Sequence, residues 1–119
     1  MTTASTAPVF AALGDPHRQQ LIMMLARGGA ASASSLAPSL PVSRQAVDRH
    51  LRVLTGAGLL ERRRSGRQVL YSVRRAELDR SADWLRELAD GWDKRLSAIK
   101  EAAEGTGQAP ALEKNPTDK

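Results

Sequence analysis

The stretch LAPSLPVSRQAVDRHLRVL, running from Leu36 to Leu54, decides how this chain is read. It breaks at Pro41, because the residue before a proline is pushed out of the α region. Upstream, Ser34 or Ser35 can cap a short helix through Leu40. Downstream, Ser43 caps a longer helix from Arg44 to about Thr55, in which Val47, Leu51 and Leu54 recur at i, i+4 and i+7 as one apolar face. Arg44, Gln45, Asp48, Arg49 and Arg52 occupy the other face. A short helix, a proline turn and a second helix with an Arg-rich face have the anatomy of a helix-turn-helix, whose second helix presents its first residues to base edges in a major groove.

Working outward, Gly56 to Gly58 closes that helix and the period changes from helical to alternating. Val69, Tyr71 and Val73 alternate with Gln68, Leu70 and Ser72, and Ser65-Gly66 stands between Arg62, Arg63, Arg64 and Arg67. This pattern predicts a β-hairpin with a basic tip, which makes the whole a winged helix. Toward the N-terminus, Pro8 to Leu13 reads as a short apolar helix. Asp15-Pro16 then pairs an N-cap with the proline-favoured first helical position. Leu21, Ile22, Leu25 and Ala26 follow at helical spacing until Gly28-Gly29. Arg75 to about Glu104 reads as one long helix. The predicted fold is mainly α with a small β-hairpin: four short-to-medium helices, a wing and a long C-terminal dimerisation helix. Residues 8–104 form the expected domain, with residues 1–7 and 105–119 expected as flexible tails.

The chemistry of the exposed types fits duplex DNA. Arg44 and Arg49 can pair bidentately with guanine and Gln45 with adenine, while Ser43 suits a phosphate or a base. Asp48 can accept from a cytosine amino group, or restrain Arg44 or Arg52 through an i,i+4 contact. Arg62, Arg63, Arg64, Arg67 and Gln68 would lie along the backbone or reach the adjacent minor groove. Charge supports this placement. The chain of 119 residues carries a net +5, and 14 of its 18 basic residues are Arg, the side chain suited to planar, bidentate recognition. Residues 43–75 alone hold nine Arg against Asp48 and Glu61, so the excess is a local block and the remainder is slightly acidic.

Between Leu78 and Ala103, the residues Leu78, Ala82, Leu85, Ala89, Trp92, Leu96, Ile99 and Ala103 follow a 3.5-residue repeat. Such a seam calls for a partner helix. A two-fold dimer also sets two recognition helices about 34 Å apart, one turn of duplex. Val9, Phe10 and Leu13 are expected to complete that interface. Trp84 and Trp92 read as packing residues of the same interface, since a Trp on an apolar stripe is usually core.

Three stretches together, Phe10 to Arg18, Leu36 to Leu54 and Gly56 to Tyr71, resemble the bacterial ArsR/SmtB-type winged-helix transcriptional regulators. The resemblance covers roughly residues 8–103. It implies that Ser43 to Arg49 is the recognition segment, that Arg62 to Tyr71 is the wing, with Tyr71 among the DNA-binding residues, and that the protein is a dimeric repressor released by an effector. Asp48 departs from the small hydroxyl residue often found at that position. The family's metal sensors use Cys before the recognition helix, or His, Asp and Glu in the last helix. This chain has no Cys, and its last helix has no His. His50 reads as packed behind the recognition helix, and His17 lies in the first turn of its own helix; no metal site and no cofactor are expected. The Trp-rich segment Ala82 to Leu96 is similar to a subset of the family without metal ligands, whose genes often neighbour those of small START-like ligand-binding proteins.

Other classes fare worse. No nucleophile, base and orienting group stand in a recognisable motif, and Gly56-Ala-Gly58 is too short for a phosphate-binding loop, so no enzyme activity is expected. The acidic residues of the last helix alternate with Arg and Lys as a solvated, ion-paired face. No apolar run reaches the length of a membrane span, and a cytoplasmic protein without membrane contact is expected. The expected partners are double-stranded DNA and a second copy of the chain, with room for an effector that the residues do not identify. Two alternatives remain: a sequence-independent nucleoid-type or RNA-binding dimer, and a metal-responsive regulator using non-Cys ligands.

Overall fold

A computed structural model describes residues 5–105; the expected tail segments 1–4 and 106–119 lie outside the described residues. Helix α1 spans Ala7–Ala12, so Ala7, placed in the tail by sequence, is its first residue. Helix α2 spans Pro16–Gly28. Its Asp15 cap forms as read, the carboxylate accepting from the backbone N–H groups of His17 and Arg18 at 2.8 and 3.2 Å. The start of α2 also ties down the end of α1. Arg18 Nε donates to the Ala12 carbonyl and Gln19 Nε2 to the Leu13 carbonyl, both at 2.6 Å, satisfying acceptors that a helix C-terminus leaves open.

The next segment differs from its prediction. Ala31–Ser32 forms a two-residue strand, β1, and helix α3 is only Ala33–Leu36, followed by a 3-10 turn at Ala37–Ser39. The cap is Ser32, whose Oγ accepts from Ser35 N–H, rather than Ser34 or Ser35. Pro38 supplies no N–H to continue an α-helical ladder, which accounts for the tighter turn. Helix α4 spans Arg44–Gly56, with Ser43 Oγ accepting from Ala46 N–H at 3.0 Å. It ends in a Schellman arrangement. Leu59 N–H donates to the Leu54 carbonyl and Gly58 N–H to the Thr55 carbonyl, with Gly58 at φ +86°. A Cβ at Gly58 would also meet Glu77 Cγ at 3.2 Å, a contact that the Glu side chain would have to relieve by a small shift.

Strands β2, Leu60–Ser65, and β3, Gln68–Val73, form the predicted hairpin. Ser65 faces Gln68, and Gly66 at φ +63° is the first of two loop residues, the position that a type II′ turn reserves for glycine. The hairpin is part of a three-stranded antiparallel sheet in the order β1-β3-β2, with Ala31 opposite Tyr71 and Ser32 opposite Leu70. Helix α5 spans Arg75–Gly105.

The chain divides after Ala82 into two compact units. The first has a Leu-rich core in which Leu21, Leu51, Leu54 and Leu59 are wholly buried. Val9, grouped by sequence with the dimerisation residues, is 1% exposed and belongs to this core, so it has no surface left for a partner. Leu13 and Leu78 are half-buried and pack against the same core, and Phe10 is half-buried. The second unit, as far as it is described, is the helical stretch 83–105. It leaves Trp84, Leu85, Leu88, Trp92, Leu96 and Ile99 exposed. The apolar surface there is wider than the predicted seam, since Trp84 and Leu88 flank it.

Candidate nucleic-acid interface

Helix α4 buries Val47, Leu51 and Leu54 completely, and this fixes its opposite face outward. Ser43, Arg44, Gln45, Arg49 and Arg52 are exposed, and Asp48 is half-exposed. Arg44 is held in place. Its Nη1 donates to Ser34 Oγ at 2.8 Å, and its Nε lies 3.7 Å from the Asp48 carboxylate, the i,i+4 contact that the spacing offered. Both partners leave the guanidinium about half-exposed. Sequence reasoning gave Ser34 no part in this arrangement. Its only signal was a hydroxyl in the helix before the turn.

The wing faces the same helix across a cleft of ≈ 320 Å³ lined by Ser34, Arg44, Asp48, Arg62, Arg67 and Tyr71. Side chains alternate along a strand, so the register sorts the wing arginines. Arg62 and Arg64 stand opposite Tyr71 and Val69, on the face toward the cleft. Arg63 stands opposite Leu70 and takes the other face. All of Arg62, Arg63, Arg64, Arg67 and Gln68 are exposed. Tyr71 is only 9% exposed and belongs to the core, closing the floor of the cleft instead of projecting from it. Its period-2 position beside the buried face outweighs its place in the wing segment. Arg75, counted in the basic block, pairs with Asp79 on its own helix at 3.4 Å. Arg44 of α4 and Arg62 and Arg67 of the wing thus line one cleft, a cationic cluster suited to a polyanion.

One group of side chains among the described residues has the spacing to hold a metal ion: Asp15, His17 and His50, each offering a ligand atom within 4.8 Å of the others. The sequence had the two histidines on separate helices. The fold brings their rings to 5.7 Å, centre to centre. Arg18 Nη1 lies 3.2 Å from His50 Nδ1. Burial lowers the His50 pKa; Asp15 opposes this, and the charges of Arg18, His17 and Arg49 reinforce it. Burial pushes the Asp15 pKa upward, but backbone hydrogen bonds from Arg18 and His17 and the nearby His50 and Arg18 charges outweigh it, leaving the carboxyl below its ordinary value. No helix among the described residues is long and apolar enough to cross a membrane.

Comparison with known proteins agrees with this geometry. A family profile described as a helix-turn-helix domain matches residues 13–63. An ArsR-like transcriptional regulator from Rhodococcus sp. RHA1, of known structure, is 46% identical and superposes with a TM-score of 0.75 over 82% of this chain and 92% of that one. The transcriptional repressor SdpR of Bacillus subtilis is 28% identical over 88 residues, 74% of this chain and 97% of that protein. A homodimeric winged helix-turn-helix DNA-binding domain from Mycobacterium bovis, 24% identical, shares the fold with a TM-score of 0.58 over 76% of this chain and 91% of that one. With 46% identity over 82% of its length to a regulator that it covers to 92%, and a wing and helix-turn-helix in matching order, the chain belongs to the ArsR/SmtB-type family of winged helix-turn-helix transcriptional regulators.

Proposed function

We propose that this protein is a dimeric repressor that binds a palindromic operator in the cytoplasm, with residues 8–104 as the working unit. The observation that carries the reading is the convergence of an exposed Arg-rich face of α4 and an Arg-rich wing on one cleft. Arg44, Gln45 and Arg49 read base edges, and Asp48 holds Arg44 in register. Ser43 and Arg52 engage the backbone, as do Arg62, Arg64, Arg67 and Gln68, with Arg63 contributing least. An effector would act by changing the spacing of the two recognition helices.

The exposed stripe of residues 83–105 supports dimerisation through Leu85, Trp92, Leu96 and Ile99, with Leu88 and Trp84 at its flank. The homodimeric Mycobacterium bovis domain and the repressor SdpR lend the reading family precedent. Selection of bound fragments from genomic DNA tests it. Recovery of a shared inverted repeat with half-sites about 10–10.5 bp apart, or a multiple of that spacing, is expected. Recovery of unrelated sequences would favour sequence-independent binding instead.

A further inference from the structure

We propose that Asp15, His17 and His50 form a binding site for a divalent transition-metal ion of the zinc class, linking the start of α2 to α4. The site differs in place from those of the metal sensors that the chain resembles, the helix before α4 and the last helix. Two imidazoles and one carboxylate are a common donor set for such ions, and a three-residue site leaves a fourth position for water. Their ligand atoms are within 4.8 Å of one another. Metal–ligand bonds of about 2.0–2.2 Å require these atoms to close in somewhat. All three residues are only half-buried, so side-chain rotation can supply that closure.

Asp15 Oδ1, which caps α2, also lies 3.9 Å from His17 Nδ1, so the carboxylate faces the imidazole, and ligation would share Oδ1 with the cap or turn Oδ2 inward. Arg18 is the competitor. As a donor to His50 Nδ1 it fixes the ring as the Nε2–H tautomer. A metal at either ring nitrogen costs Arg18 this acceptor, whether by occupying Nδ1 or by moving the proton there. Coordination therefore replaces one α2–α4 link with another, and the nearby guanidinium keeps the affinity moderate. His50 shares α4 with Arg44, Gln45 and Arg49, so occupancy would bear on DNA binding; only that consequence rests on the operator reading.

The test is a titration of the untagged full chain with Co(II) and no DNA present, followed by visible ligand-field absorption and displacement by Zn(II). One ion per chain is expected. His17→Ala and Asp15→Asn should each weaken binding by about 10- to 100-fold or more. Asn caps a helix about as well as Asp, so Asp15→Asn separates ligation from capping. His50→Gln should act likewise. Absence of saturable binding up to about 1 mM, or equal binding by wild type, His17→Ala and Asp15→Asn, would overturn the proposal.

Discussion

Helices α4 and α5 both carry an apolar stripe, and the two stripes end up in opposite conditions. In α4, Val47, Leu51 and Leu54 are wholly buried by the chain's own core. In residues 83–105, Leu85, Leu88, Trp92 and Ile99 are about half exposed. Sequence periodicity identifies both stripes without distinguishing them. What separates them is supply: α1, α2, α3 and the sheet surround α4, whereas the described unit beyond Ala82 is one helix with no second element to cover it. An apolar stripe left exposed in this way fits the proposed dimer interface.

The comparison can be broken at either helix. The largest effect is expected from Leu85→Asp combined with Leu96→Asp, because an unpaired carboxylate buried in an interface costs several kcal/mol, roughly 3–5 by analogy with broken buried ion pairs. Sedimentation should show monomers, and thermal unfolding should show the winged-helix unit intact; a persistent dimer would mean that the stripe is not the interface. Leu51→Ala comes next. It opens a cavity in the core and should cost about 2–5 kcal/mol in urea unfolding, without changing association at protein concentrations where the chain stays folded.

Arg44→Ala should cost about 1–3 kcal/mol on the operator and relax preference at defined base pairs, whereas Arg64→Ala or Arg67→Ala should weaken all duplexes and reduce the salt slope by about one. Even losses across sequences in all three variants would contradict this division of roles. The smallest effect is on acid stability. His50 has its pKa held below the ordinary 6.5 in the folded chain, so the unfolded chain takes up its proton first. Stability should therefore fall as pH drops below about 6.5 toward the folded pKa, and His50→Gln should flatten that part of the profile. Asp15, also lowered, adds a second loss below its ordinary 3.8.

Much of the fold was legible where one residue type has one physical use. Asp15 and Ser43 cap as read, the hairpin turns at the expected glycine, and the face of α4 follows from its spacing. Strand β1 was not legible. Two residues carry no periodicity, and their pairing with Tyr71 and Leu70 exists only once the hairpin has folded. Val9 and Tyr71 were placed at functional surfaces because their local segments lead there, yet each is taken up by the core. That His17 and His50 could meet was open from sequence but not decidable, since helical spacing orders residues within an element and is silent on which ends of two elements coincide.

If α4 and the wing read a particular duplex, competition binding at matched salt will distinguish that duplex from any other. The wild-type chain should hold its selected operator on the order of 10³-fold or more tighter than a scrambled duplex of equal length and composition. Equal affinity for the two duplexes would contradict it.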